Sequence, residues 1–216
     1  MIIILDKKDI EYCILLAKKR AKYKNEHWQQ NKYRKGLLNS DKNPYLSERL
    51  GVYGEMAFSK FLGKIPLDEN ISDIGDPGYD FIYKNKKIDT KTQWQPAYWA
   101  IKKYNCYGPF YLSADDKNGR EKELKADIYF FETIDSILKN GKKLNIEDIK
   151  EIGSDLEATQ ISIKLWGYIS KENILKNKEQ RKNRVLWENK GPGNKYNYYI
   201  KATELLFPKK TPINKV

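Results

Sequence analysis

The sequence predicts an α/β fold with a central mixed sheet, and three observations predict it. The N-terminal part holds two runs with apolar residues at helical spacing. A hairpin of two short alternating strands follows, around residues 79–94. Beyond it lie two more strand-like runs, Asp127–Ile134 and Ile161–Ile169, separated by polar sequence.

The first predicted helix runs from about Asp6, which can cap it, to Lys35, where Lys35-Gly36 breaks it. Ile10, Ile14, Ala17 and Ala21 share one face, and Lys and Arg crowd the other. The apolar run before it, MIIIL, is too short for a signal-peptide core and has no basic segment ahead of it. A second helix spans Pro44 to Leu62, with Asn43 as N-cap, Pro44 in the first turn and Gly63 as its stop. Leu46, Leu50, Tyr53, Ala57 and Phe61 line one face, and Val52, Met56, Phe58 and Leu62 widen it, so this helix is expected to be mostly buried. Gly51 and Gly54 each cost about 1 kcal/mol of helix propensity relative to Ala. Close approach of another element to the backbone at both positions would account for them.

After a loop, Gly63 to Gly78, the strands Tyr79–Lys84 and Lys87–Trp94 are joined by Asn85-Lys86, a tight turn in which Asn tolerates a left-handed backbone. Residues 95–124 form an insertion that interleaves Tyr and Trp with Lys and Arg. Asp135 to Thr159 is expected to be a helix plus loops. Ser170 caps a short helix, Lys171–Lys176. Residues 178–196 form a basic arm with Gly191-Pro192-Gly193, and Tyr198–Lys201 is a last strand. The organisation expected is a basic helical extension, 1–40, packed on a single domain, 41–216.

Composition narrows the function classes. The 216 residues include 16 Tyr, 7 Phe and 5 Trp, too much large apolar surface for a disordered chain. Lys and Arg number 41 against 29 Asp and Glu, a formal net charge of +12, which attracts polyanions. Nucleic acid is the first partner suggested and an anionic membrane surface the second, while lysines that merely solvate the surface would give the same count. No run reaches the roughly 20 apolar residues needed to span a bilayer, so a soluble, cytoplasmic protein is expected. The Lys-, Asn- and Ile-rich composition suggests a microbial or phage genome. Cys13 and Cys106 form no CxxC pattern, and one histidine, His27, rules out a His-rich metal site.

The chemistry-bearing stretch is GYDFIYKNKKIDTKTQ, residues 78–93. Side chains alternate along a strand, so Asp89, Lys91 and Gln93 share one face. With the turn at Asn85-Lys86, Asp80 lies opposite Lys91 and diagonal to Asp89 on that face. Two carboxylates and a lysine then form one patch. Mg²⁺ is often held by one or two carboxylates plus water and phosphate oxygens. A lysine beside it can position or deprotonate the attacking water and stabilise charge in phosphodiester hydrolysis. An ordinary amphipathic hairpin with a cross-strand ion pair carries the same residues.

The order and spacing of these motifs resemble the PD-(D/E)XK, or restriction-endonuclease-like, nuclease superfamily, whose core is αβββαβ. Gly51-Val-Tyr-Gly-Glu-Met-Ala-Phe resembles its helix and supplies Glu55; Gly78-Tyr-Asp-Phe supplies Asp80; Ile88-Asp-Thr-Lys supplies Asp89 and Lys91. The likeness spans about residues 44–177. It implies that Asp80, Asp89 and the backbone carbonyl of Thr90 bind Mg²⁺ or Mn²⁺, that Lys91 acts on the water, and that Glu55 binds or orients through a second metal or a water. Tyr79, not proline, precedes Asp80. The nearby Asp76-Pro77 reverses the family's order and sits in a loop, so Asp80 is preferred. A solvated Glu55 is the competing expectation at that position.

Gln93 and Arg49 are further candidates for phosphate contact, with structural hydrogen bonding and ion pairing as their competing roles. Lys102 and Lys103 in the insertion, and Arg181, Lys182 and Arg184 in the arm, are the expected nucleic-acid contacts. A bulky core edge and a solvated loop are the respective alternatives. The resemblance implies a Mg²⁺-dependent deoxyribonuclease, endonucleolytic, acting alone or as a homodimer. A non-catalytic nucleic-acid-binding module on the same fold and an RNA-directed nuclease are the competing functions.

Overall fold

The computed structural model describes residues 1–29, 44–69, 78–114, 121–144, 158–184 and 196–207. The boundary expected near residue 40, the Asn43 cap, Asp76 and the Gly191-Pro192-Gly193 turn lie outside them. The described elements are β1 (Ile2–Asp6), α1 (Lys7–Gln29), α2 (Pro44–Phe61), β2 (Phe81–Tyr83), β3 (Lys86–Gln93), α3 (Tyr98–Tyr104), β4 (Phe110–Ser113), β5 (Ile128–Lys139), β6 (Lys142–Lys143), β7 (Gln160–Ser170), α4 (Lys171–Lys176), α5 (Lys178–Arg181), β8 (Lys182–Arg184), β9 (Tyr196–Ile200) and a 3-10 turn at Ala202–Glu204.

The larger sheet has the order β1-β7-β5-β3-β2, with β6 paired to β5; the smaller is β4-β9-β8. The Asp127 N–H, just before β5, donates to Lys87 O at the start of β3 over 2.9 Å, so these neighbours run parallel. The Thr159 N–H, just before β7, donates to Leu138 O near the end of β5, so those two run antiparallel. The fold is α/β with a mixed central sheet, as the sequence predicted. The chain divides into two compact units: Met1–Gly75, Thr92–Gln95 and Glu132–Leu165 in one, and Asp76–Lys91, Pro96–Phe131 and Trp166–Val216 in the other.

In the first unit the opening apolar run is a strand. β-branched Ile2, Ile3 and Ile4 favour extended backbone, and β1 pairs antiparallel with β7 from Ile2↔Lys164 to Asp6↔Gln160. Asp6 ends the strand and caps α1: its Oδ1 accepts from the N–H groups of Lys8 (2.9 Å) and Asp9 (3.1 Å), and Asp9 Oδ2 accepts from the Asp6 N–H. Those amides, Asp9's first, hold the Asp6 carboxyl below its ordinary range. Ile10, Cys13, Ile14 and Ala17 of α1 and Val52, Tyr53, Ala57 and Phe58 of α2 are buried, and the two helices pack together. Burial pushes the Cys13 thiol up. The close approach expected at both glycines of α2 holds at Gly54 alone. A Cβ there would meet Thr92 Oγ1 and Glu132 Oε2, whereas at Gly51 it would meet nothing within 4 Å.

Two expectations about strands needed correction. The hairpin turn is Lys84-Asn85, not Asn85-Lys86; both residues have positive φ, 47° and 60°. That is the backbone twist two-residue hairpins favour. The pairs are therefore Tyr83↔Lys86, Ile82↔Lys87 and Phe81↔Ile88. The expected helix after Asp135 is instead the second half of β5. The strand keeps Ile134 and Ile137 buried while Asp135 is exposed. It turns at Asn140-Gly141, again with two positive φ values, into β6. Residues 145–157 lie outside the described ones.

In the second unit, β4, β5, β7, α4 and β9 supply a core of Phe110, Leu112, Tyr129, Phe131, Ile169, Ile174, Tyr198 and Ile200. Phe110 anchors it, with ring centroids 5.5 Å from Phe131 and 5.2 Å from Trp166. Ser170 caps α4 as predicted, accepting from the Asn173 N–H at 3.2 Å. Ala97, Ala100, Cys106 and Tyr199 form a separate buried cluster that seats α3 beside the small sheet. Burial raises the Cys106 thiol too.

Candidate active site

The hairpin positions the predicted residues of the second unit. Asp89 and Lys91 share a face of β3, and Lys91 Nζ lies 2.6 Å from Asp89 Oδ1. Asp89 and Thr90 are buried, while the Lys91 side chain keeps 37% exposure. Asp80 stands one residue beyond the last paired position. Its N–H donates to Ile88 O over 2.8 Å, and its Oδ2 accepts from the Thr90 N–H (2.6 Å) and Thr90 Oγ1 (2.7 Å). The earlier turn shifts the register by two, so Asp80 falls beside Asp89 and Thr90 rather than opposite Lys91. A shift of two preserves side-chain parity, which is why the expected face survives.

Neighbouring residues hold this end of the hairpin. Asp127 Oδ2 accepts from the Lys87 N–H over 2.9 Å, and Lys87 Nζ lies 5.1 Å from the Tyr79 ring centroid. Burial pushes the Tyr129 phenol up to about 12; the Ala126 N–H bond opposes this, and the charges of Asp89, Asp127 and Glu123 add to it. Tyr129 is therefore a neutral phenol at ordinary pH.

As a donor set, Asp80, Asp89 and the Thr90 carbonyl offer hard oxygens of the kind Mg²⁺ and Mn²⁺ take, with water and phosphate completing the shell. Asp80 Oδ1 has no hydrogen-bond partner among the described residues. No group of three or more His, Cys, Asp or Glu side chains that could hold a metal occurs among the described residues. A cation here would thus depend on few protein ligands.

Glu55, in the first unit, is not the solvated glutamate of the competing expectation. It is 7% exposed, and Arg20 grips both carboxylate oxygens, at 2.6 and 2.9 Å. Arg20 also donates to Asp68 O over 2.8 Å. Metal or water binding by Glu55 would have to share its carboxylate oxygens with this fork. Sequence reading missed Glu132, which is fully buried on β5 and accepts from Thr92 Oγ1 at 3.4 Å beside Gly54. Its signal was available: a glutamate inside the apolar run IYFFETI must be compensated if buried.

The expected phosphate contacts divide. Arg49 is 0% exposed, with its guanidinium 5.4 Å from the Tyr45 ring and 6.0 Å from Trp94; it is a buried packing residue rather than a presented cation. The side-chain oxygen of Gln93 is buried without a hydrogen-bond partner among the described residues. Arg181, expected on a solvent-facing arm, is 2% exposed and forked onto Glu204 by two 2.8 Å bonds. α5 and β8 replace the expected loop there because Arg181 anchors them. Lys182 Nζ lies 5.0 Å from the Tyr196 ring, Lys102 and Lys103 are exposed, and the Arg184 side chain lies outside the described ones. No helix among the described residues is long and apolar enough to cross a membrane. Compared with family models, curated proteins and solved structures, the chain matches none.

Proposed function

We propose that the protein is a metal-dependent endonuclease that hydrolyses phosphodiester bonds of DNA on a restriction-endonuclease-like αβββαβ core. The observation that carries this reading is the end of the β2–β3 hairpin, where Asp80, Asp89 and Lys91 come together with one lysine ammonium on one buried carboxylate. When bound, Mg²⁺ or Mn²⁺ would neutralise the carboxylates and polarise the phosphoryl oxygens. Asp80, Asp89 and the Thr90 carbonyl would hold it. Thr90 orients the Asp80 carboxylate through two short hydrogen bonds. Lys91, whose ammonium sits 2.6 Å from Asp89 Oδ1, would hold the attacking water and balance charge developing on the phosphate. The net charge of +12 gathers the polyanionic substrate. A homodimer would cut both strands, and a cytoplasmic site of action accords with such a substrate.

A non-catalytic nucleic-acid-binding module on the same fold is favoured by one specific observation: both carboxylate oxygens of Glu55 are already held by Arg20. Incubation with plasmid, single-stranded DNA and RNA in Mg²⁺, Mn²⁺ or EDTA separates the readings. Metal-dependent cutting lost in Asp89→Ala is the expected result, and the substrate cut decides DNA against RNA. Binding to all three with no cutting in either metal would retire the nuclease in favour of the module.

A further inference from the structure

Helix α3 carries a surface that the hydrolytic chemistry does not use. Its buried side is Ala97 and Ala100, seated against Tyr199 and Cys106. The opposite side presents Tyr98 at 49% and Trp99 at 40% exposure, with Lys102 and Lys103 exposed beside them. Helical spacing puts Lys102 one turn from both rings and Lys103 one turn from Trp99. Trp99 is braced edge-on against Tyr104, centroids 6.1 Å apart, and Lys103 Nζ lies 5.3 Å from the Tyr104 ring. Asn105, in a left-handed conformation, closes the helix with its N–H on Ala100 O. From Thr90 to Ala114 the sequence has no Asp or Glu, so this stretch itself carries net positive charge.

Two large rings left in water cost free energy that a folded protein seldom leaves uncompensated in a cluster. Rings beside cations, on a short rigid helix, suit a ligand with flat apolar faces and regularly spaced negative charge. We propose that α3 is a stacking platform for unpaired nucleotides: Tyr98 and Trp99 stack on bases, and Lys102 and Lys103 contact the adjoining phosphates. Paired bases hide their faces, so the platform selects single-stranded over duplex nucleic acid. A membrane surface is the poorer fit. Helices that lie in a bilayer interface sink a broad apolar face, and α3 has seven residues with its alanines turned inward. The inference rests on the nucleic-acid reading above but not on catalysis.

The test is fluorescence anisotropy with labelled oligothymidine of about 16 nucleotides, the matching duplex, and oligouridine as the RNA counterpart, all in EDTA. Trp99→Leu should weaken oligothymidine binding about 10-fold and duplex binding little, while Trp99→Phe should retain it. Lys102→Ala should weaken binding and lower the salt slope by about one phosphate contact. Unchanged oligothymidine binding in Trp99→Leu, or an equal loss on duplex, would overturn the platform. So would a loss confined to phosphatidylserine vesicles. Cleavage is scored separately in Mg²⁺. A wild-type protein that cuts nothing yet needs Trp99 for oligothymidine keeps the platform and loses the nuclease; one that cuts through Asp89 with Trp99 irrelevant does the reverse.

Discussion

The Arg181–Glu204 and Asp89–Lys91 pairs lie in the same unit and join the same kinds of charge, but they are built differently. Glu204 accepts both arms of a guanidinium that is 2% exposed, the Lys201 N–H at 3.0 Å and the Tyr107 hydroxyl at 2.9 Å. Tyr107 is in turn covered by Arg181 and Lys201, at 5.0 and 4.2 Å. This is a closed network that fastens β9 and its 3-10 turn to α5. Lys91, by contrast, reaches Asp89 as a point charge on a flexible stem that keeps 37% exposure. A planar fork spends its donors on one partner and holds it; an ammonium can change partners. The difference teaches that two ion pairs of the same kinds of charge can differ widely in their freedom to exchange partners.

Substitutions at the two pairs should therefore fail in different ways. The largest effect expected, on the proposed nuclease reading, is on cutting: Lys91→Ala should lower the rate of plasmid nicking by at least about 100-fold, with DNA binding in EDTA and the melting temperature nearly unchanged. A variant that melted early would make Lys91 a structural residue like Arg181. Arg181→Ala should instead leave a partly buried carboxylate without its fork and cost about 3 kcal/mol of stability, read from urea unfolding, with Lys91-dependent nicking intact under folding conditions.

The same contrast extends to pH. Burial acts to raise the Glu204 carboxyl, but the Arg181 fork, the Lys201 N–H and the Tyr107 hydroxyl outweigh it and leave it below its ordinary 4.5. A depressed carboxylate stabilises the fold above its unfolded value, and that contribution is lost as pH falls through the folded one. Wild-type urea midpoints should thus fall below about pH 4.5 more steeply than those of Glu204→Gln. The smallest effects separate two glycines of α2. Gly54→Ala should destabilise by about 1–3 kcal/mol by crowding Thr92 and Glu132. Gly51→Ala, with open space at its Cβ, should stabilise by about 0.5–1 kcal/mol. Equal melting temperatures would remove the close approach as the reason for Gly54.

Local rules carried the legible part of the molecule. The Pro44 start and Gly63 stop of α2, the Ser170 cap of α4 and the alternation of β7 are all decided within a few residues. The hairpin was legible to within one residue at its turn, and the error spared the face because it moved the register by two. The losses arose where tertiary pairing overrode local pattern. Ile2–Asp6 is a strand because β7 offers it an edge, and β5 runs on through Asp135 and Ser136 because Ile134 and Ile137 are buried. Asn140-Gly141 is a readable hairpin signal inside a stretch whose polar sequence predicts a helix plus loops. At the site, side-chain alternation placed Asp89 and Lys91 on one face, but nothing local could say that Arg20 would clasp Glu55 from thirty-five residues away. Basic residues misled most. Arg49 and Arg181 count toward the +12, yet both are buried, because a guanidinium can stack on rings or fork onto a carboxylate inside a core.

Both cysteines of the chain, Cys13 and Cys106, are buried, with burial raising each thiol above its ordinary range. Alkylating reagents attack thiolates, so the native fold should be nearly inert to maleimide. A single Leu15→Cys on the exposed side of α1, at a residue 67% open to solvent, would then be the one addressable handle, allowing a dye to be attached without first stripping the protein of its own sulfur.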